Sequence, residues 1–218
     1  MVLTDPPAGR EEEFERWYDE HAAARTRLPG IGEGRRYWTV SGEPAHMASY
    51  DLESLEVLET EEYARLRRER PEGEQDIIDA MGSPLDRRIY RHLGTYENSS
   101  WAGSTPTAAL GVWMSVSDSD DFAKWYEQEH IPMLFAAPGW LRIRRYELVS
   151  GSGPTFLALH DLAVPETVDD QRAEPARHTA WRDRVAEYRT AYERRVFRLH
   201  KRIRADGTVE RADTDHGE

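Results

Sequence analysis

The chain has 218 residues and a formal net charge of -12 at pH 7, which suits one or two domains and argues against a phosphate-tracking nucleic-acid role. It has no cysteine, which excludes disulfides, thiol nucleophiles and thiolate metal sites. No apolar run approaches the roughly 20 residues of a membrane span, and residues 1–10 lack the basic-then-apolar order of a secretory signal, so a cytoplasmic protein with no membrane partner is expected.

In chain order, the pattern predicts a helix over 9–24, with Glu11, Glu12 and Glu13 in the first turn, where the helix dipole favours acids. Phe14, Trp17, Tyr18 and His21 fall at i, i+3, i+4 and i+7, one stripe of that helix. Only Met1-Val2-Leu3-Thr4 precedes Asp5-Pro6-Pro7, so the opening strand is very short or the chain starts upstream of this Met. Strands are predicted at 35–40 and 46–52 around the turn Ser41-Gly42-Glu43-Pro44. Thr60 is an N-cap for a helix over 60–70, and a short helix follows over 71–82. The alternation of Leu85, Arg87, Ile89, Arg91 and Leu93 marks a strand over 85–93. The stretch 94–107, rich in Ser, Thr, Gly and Asn, reads as a linker. A strand at 109–116 follows, then a helix over 117–130 with Asp118 or Ser119 near its cap. Strands at 141–149 and 155–162 form a hairpin around Gly151-Ser152-Gly153-Pro154, ahead of a helix over 175–189 and a last strand at 195–203. The polar residues 205–218 are expected to be disordered.

The second part of this list repeats the first. Phe14, Trp17, Tyr18, His21, Pro29-Gly30 and Arg35-Arg36-Tyr37 return as Phe122, Trp125, Tyr126, His130, Pro138-Gly139 and Arg144-Arg145-Tyr146, with a constant offset of 109 from His to Tyr. Tyr50-Asp51-Leu52 matches His160-Asp161-Leu162, and Arg87-Arg88-Ile89-Tyr90-Arg91 matches Arg194-Arg195-Val196-Phe197-Arg198. Self-similarity of this length marks a duplicated unit, here strand, helix, strand, strand, helix, strand, the split β-α-β arrangement. The expected partition is 1–94 for the first half, 95–107 for the linker, 108–204 for the second half and 205–218 for the tail.

Trp17-Tyr18-Asp19-Glu20-His21, Pro29-Gly30 and Arg35-Arg36-Tyr37, with their second copies, resemble the EthD-like branch of the dimeric α+β barrel superfamily. The resemblance implies an α+β fold of two tandem ferredoxin-like (βαββαβ) halves. Their antiparallel sheets would pair into one internal barrel, each half enclosing a cleft between its sheet and its helices. An internal barrel removes the usual reason to dimerise, so a monomer or a homodimer is expected. The wider superfamily includes cofactor-free monooxygenases, lactone isomerases, polyketide cyclases and haem-binding enzymes, and fold alone does not choose among them.

The resemblance sets His21 and His130 at the cleft rim, where a His suits general acid or base work; the plainer reading is a cap on the helix C-terminus. His130 follows Trp125 by five residues where His21 follows Trp17 by four, so it turns off the stripe, leaving Glu129 there, unless a bulge absorbs the extra residue. Trp17, Tyr18, Trp125 and Tyr126 serve either as core or as the wall of an aromatic-ligand site. One Arg of each strand pair points inward. As Arg36 or Arg145 it can steady an enolate or carboxylate, with Tyr37 and Tyr146 completing the donors. His46 and His160 lie on or beside the third strands at non-equivalent positions, and His160 and Asp161, being adjacent, face opposite sides. His92, His178 and His200 fall on polar surfaces or strand ends. No metal-ligand spacing and no nucleotide-binding glycine loop is present, so no metal is expected. The leading expectation is a cofactor-independent lyase, isomerase or cyclase. It would move protons on a small aromatic or polyketide-like metabolite, with His21 as acid or base. The alternatives are a carrier for such a ligand, a haem protein using His130 or His178, and a structural assembly protein.

Overall fold

A computed structural model describes residues 1–71, 73–81, 85–99, 101, 103 and 105–212. The elements are β1 (Val2–Thr4), α1 (Glu11–Thr26), β2 (Ile31–Ser41), β3 (His46–Leu52), α2 (Glu61–Arg68), α3 (Glu74–Ala80), β4 (Asp86–Arg87), β5 (Ile89–Glu97) and β6 (Ala108–Val116). They continue with α4 (Ser119–Trp125), a π-turn (Tyr126–His130), α5 (Ile131–Leu134), β7 (Trp140–Ser150), β8 (Phe156–Leu162), α6 (Ala180–Tyr188), β9 (Arg189–Ile203) and β10 (Val209–Arg211). The fold is α+β, with antiparallel sheets and helices in the expected order. Among the described residues no helix is long and apolar enough to cross a membrane.

Local chemistry sets several boundaries. Thr60 caps α2 by accepting from the Tyr63 N–H at 3.3 Å, and Asp118 caps α4 by accepting from Asp121 at 3.0 Å. Thr179 accepts from Arg182 at 3.0 Å, so α6 starts at Ala180 rather than at 175, and β9 begins directly after it at Arg189. β2 starts at Ile31, earlier than the pattern suggested, because Ile31 pairs with Leu52 across a bulge. The strand expected over 85–93 is interrupted at Arg88 and runs on to Glu97, into the stretch read as linker. The tail is not uniformly disordered: Val209–Arg211 pairs with Lys201–Ile203, while 213–218 lie outside the described residues. Residues 72 and 82 of the helix expected over 71–82 and residues 100, 102 and 104 of the linker also lie outside them.

By compactness the chain divides into residues 1–87 with 199–218, and residues 88–198, so the first unit is built from two separate segments and the second from one. Sheet pairing explains the exchange. In the first unit the order is β4-β1-β3-β2, the ferredoxin-like order, and the end of β9 carries β10. In the second unit the start of β9 takes the corresponding place, β9-β6-β8-β7, and β5 adds beyond β7 from Ile89 to Glu97.

Each unit buries its first helix against its sheet. In the first unit Phe14, Tyr18 and Ala22 pack with Ala48, Ile77 and Ile203. In the second, Phe122, Trp125, Tyr126 and Leu134 pack against Leu110, Val112 and Met114, alternate residues of β6 that share one face. The intervening Ala109 and Trp113 are also buried, which is why β6 reads as a continuous apolar run.

An arginine of the second strand fastens each first helix. Arg36, fully buried, donates to Glu15 at 2.5 Å and to Asp19, and its guanidinium lies 4.6 Å from the centre of the Tyr18 ring. Arg145 meets Glu127 at 3.3 Å, the carbonyl of Ala123 at 3.5 Å and the Tyr126 ring at 4.8 Å. Lys201 reinforces the first clamp, donating to Glu15 at 2.9 Å and Asp19 at 2.7 Å. The companion arginines serve the other face, Arg35 with Asp51 at 3.0 Å and Arg144 with Asp161 at 2.8 Å. The repeated Pro-Gly is a close-approach device. A Cβ at Gly30, where φ is +79°, would lie 2.5 Å from Val57, and one at Gly139 would lie 2.7 Å from Thr167.

Replacing Arg36 with Met leaves two carboxylates facing only Lys201 and His200, and is expected to cost about 3 kcal/mol in urea unfolding. Arg91→Met, which breaks an exposed pair with Glu147, should cost less than about 1 kcal/mol. Equal losses would refute the clamp.

Candidate functional site

The second unit holds a cavity of about 170 Å³ between its sheet and its helices. Trp125, Tyr126 and His130 line it from the helical side, Trp140 and His160 from β7 and β8, and Tyr192 from β9. His130 comes from the π-turn that follows α4. The π-turn takes up the one extra residue of the second copy, so His130 stays on the stripe and stacks on Trp125 at 4.3 Å, its plane 25° away. The first copy gives the same contact without the insertion, Trp17 to His21 at 4.6 Å. Glu129 is the residue turned away, and accepts from Thr179 at 2.6 Å.

The two histidines of this cavity have complementary ring nitrogens. Trp140 Nε1 donates to His160 Nδ1 at 2.9 Å, and since an indole nitrogen can only donate, His160 carries its proton on Nε2. That Nε2–H has no hydrogen-bond partner in the protein, nor has His130 Nδ1. Burial pushes the His130 imidazole down to about 4; a hydrogen bond to the backbone of Ala176 opposes this, and Arg182 and Arg177 add to it. Burial, then His130 and Arg194, hold His160 well below the ordinary imidazole range. Both rings are neutral at neutral pH. Side chains around the cavity are fixed from outside. Asp121 of α4 accepts from Arg184 at 2.8 Å, Tyr188 at 2.8 Å and Trp181 at 3.0 Å, which holds α6 in place. Asn98 donates to the carbonyls of Phe135 at 2.9 Å and Trp140 at 3.0 Å, which fixes the turn before β7.

The corresponding region of the first unit is furnished differently. His21 Nδ1 stands 3.5 Å from Glu74, and burial brings its pKa to about 4 although Glu74 opposes this. Burial would raise Glu74, but hydrogen bonding to His21 prevails and holds it below the usual range, so a neutral imidazole faces a carboxylate. Ile77 and Met81 of the α3 region pack in beside Phe14 and Tyr18. His46, fully buried, accepts from Arg36 Nε at 3.3 Å.

Of the residues singled out in the sequence, Trp125, Tyr126 and His130 are gathered on the cavity. Trp17, Tyr18 and His21 form the matching cluster of the first unit. Arg36 and Arg145 are spent on helix carboxylates. Tyr37 and Tyr146 follow them directly on the strand, so alternation sets each on the opposite face, where Tyr146 meets His92 at 5.5 Å; they do not complete a donor set with those arginines. His178 meets Glu174 at 2.8 Å on the exposed surface, which removes it as an axial ligand to a haem. A haem at His130 does not fit either, because about 170 Å³ is near the roughly 150 Å³ that takes up a benzene ring. No group of three His, Cys, Asp or Glu placed to hold a metal occurs among the described residues. Trp140 and Tyr192 were not singled out, and His160 was noted on the third strand without a role. The available signal was the repeat itself, in which His160 stands where the first copy has Tyr50.

No protein-family model and no curated protein matches the chain. Among solved structures, it is similar to an anthrone oxidase-like protein at TM-score 0.65 and 12% identity, over 94% of this chain and 91% of that one. It is similar to a monooxygenase-like protein from Fusobacterium nucleatum at TM-score 0.56 and 8% identity, over 97% and 95%. A chlorite dismutase-like protein follows at TM-score 0.52 and 16% identity, over 94% and 93%. At such identities the likeness is one of fold alone.

Two outcomes follow from the buried imidazoles. A histidine near 4 in the fold and near 6.5 unfolded binds its proton more readily in the unfolded chain, so its stabilising contribution is complete above about 6.5 and is lost as pH falls toward 4. Between about pH 7.5 and pH 5, His21 and His130 should each cost about 2 kcal/mol in urea unfolding, and His130→Gln should remove about half of their combined loss. A pH-independent stability would contradict this. Deleting the exposed Gln128 should convert the π-turn to α-helix and keep His130 on Trp125, with stability unchanged within about 1 kcal/mol; loss of the native near-UV circular dichroism would contradict that.

Proposed function

We propose that the second unit binds a small aromatic metabolite and catalyses cofactor-independent proton transfer on it: dehydration, isomerisation or cyclisation. One observation carries the reading. Two neutral imidazoles, one with a free acceptor and one with a free donor, share an aromatic-walled cavity. In this reading His130 Nδ1 takes the proton from an activated carbon or hydroxyl, and the His160 Nε2–H donates to the oxygen on which negative charge develops. Neutral imidazole is suited to that donor role because it has no charge to be lost in a buried site. Trp125, Tyr126 and Trp140 are the wall. The volume favours one ring; three fused rings would have to project past Tyr192, which is half exposed. Arg36 and Arg145 hold the helices in place, and the first unit is the structural partner. The repeated Trp-Tyr, His, Pro-Gly and Arg-Arg-Tyr motif supports a place in the EthD-like branch.

An oxygenation is the second reading, favoured by the names of two structural neighbours, an anthrone oxidase-like and a monooxygenase-like protein. It would begin with the same proton abstraction, with dioxygen as the oxidant.

Tryptophan fluorescence titrated with single-ring phenols, lactones and aromatic acids should quench saturably, through Trp125 and Trp140, and product analysis with oxygen-uptake measurement then identifies the reaction. His130→Ala should lower turnover by about 100-fold or more and change affinity less than about tenfold. Tight binding with no product would select a carrier, and no quenching by any ligand would remove the aromatic site.

A further inference from the structure

The cavity has a graded lining. Trp125, Trp140, Leu110, Leu134 and His160 at its inner end are all but inaccessible, whereas Tyr192 and Arg194 are exposed and Arg182 and Arg189 are half-buried. Four arginines line it, Arg177, Arg182, Arg189 and Arg194, and no aspartate or glutamate does, in a chain whose net charge is -12. That imbalance is not made up by neighbours. Asp121 is paired with Arg184 and Glu193 with Arg88 and Arg195, while Glu129, which accepts from Thr179, does not line the cavity. Arg177 donates to the carbonyl of Val168, and Arg182 meets the largely exposed Asp183 at 3.2 Å. Arg189 lies over the Tyr192 ring at 4.3 Å, which aligns its planar fork at the mouth.

Resting on the reading of this cavity as an aromatic site, we infer that its ligand is a single-ring hydroxyaryl carboxylate. Its ring would lie on Trp125 and Trp140, its carboxylate on Arg189 and Arg194 at the mouth, and its hydroxyl between His130 and His160. The chemistry at each end is matched. Guanidinium groups without carboxylate neighbours favour an anion that can accept two parallel hydrogen bonds. A hydroxyl both accepts and donates, as the His160 Nε2–H and the His130 Nδ1 acceptor require. The cavity volume suits one ring.

The test compares 4-hydroxybenzoate with 4-hydroxybenzamide, equal in shape and uncharged, by tryptophan quenching of the full chain. The acid should bind at least about tenfold tighter, a difference of about 1.4 kcal/mol. In Arg189→Gln/Arg194→Gln the difference should vanish while the amide's affinity stays as in the parent, which also reports that the cavity is intact. Equal affinity of acid and amide in the parent chain overturns the carboxylate anchor and leaves the aromatic site standing. A preference that survives the double substitution overturns the assignment to Arg189 and Arg194. If neither compound quenches, the aromatic reading falls and the anchor falls with it.

Discussion

The geometry of both units depends on an arginine of the second strand locked to the first helix. Arg36 and Arg145 each lie over the helix tyrosine and reach a carboxylate one residue beyond it, Asp19 or Glu127. That contact fixes the rotation of the helix about its own axis. With the tyrosine pinned beneath the guanidinium, the tryptophan before it and the histidine a turn later have one orientation left, toward the sheet. A buried arginine is costly unless its charge is met, and in the first unit Glu15, Asp19 and the carbonyl of Glu15 meet it. Register follows from the same fastening, because the Arg-Arg pair must alternate, one residue to the helix and one to Asp51 or Asp161 on the neighbouring strand.

Two copies of one plan have come to differ by small changes at the sheet and the second helix. The first copy places Tyr50 on its third strand, where it packs in one cluster with Ile77 and Met81. The second has His160 at that strand position, with Ala173 and Ala176 in the turn segments ahead of α6. Small side chains on one wall and a smaller ring on the other leave the volume in which a ligand can lie. The extra residue before His130 is no obstacle, since the π-turn absorbs it and keeps the stacked Trp-His pair. Both copies keep the arginine over the helix tyrosine, and their fillings differ.

Much of this was legible in the sequence because it is local or repeated. The 3.6-residue stripe of Phe14, Trp17, Tyr18 and His21 gave α1, and the agreement of the two copies gave the order of elements. The Pro-Gly pair was visible too, although its cause, the approach of Val57 and Thr167, is tertiary. What stayed hidden depends on register or on distant charges. Trp140 meets His160 only because β7 and β8 pair with a shift between Trp140 and Arg142. Arg36 reads in sequence as a free cation, and only folding brings Glu15 and Asp19 under it. The polar residues near the C-terminus read as disordered, yet Val209–Arg211 pair with the end of β9, because an edge strand needs backbone partners more than apolar side chains.

Buried polar atoms without partners occur in both units, and what differs is what they border. A buried donor or acceptor left without a partner costs about 1–3 kcal/mol, so a fold optimised for stability alone would carry apolar residues at those places. In the first unit His21 Nδ1 stands 3.5 Å from Glu74 and His46 Nε2 receives Arg36, while the Nδ1 atoms of both rings, like Trp17 Nε1 and the Tyr50 hydroxyl, make no hydrogen bond. In the second, the free nitrogens of His130 and His160 border open volume, and Trp140 commits its only donor to fixing which nitrogen of His160 bears the proton. Stability does not require that choice of tautomer; an apolar residue at 160 would dispense with it. Recognition of a hydroxyl or oxo group does require it, because only a defined donor and a defined acceptor can distinguish one polar substituent from another. A ligand that supplies the missing partners of His130 and His160 would offset the cost of keeping two neutral imidazoles at this cavity.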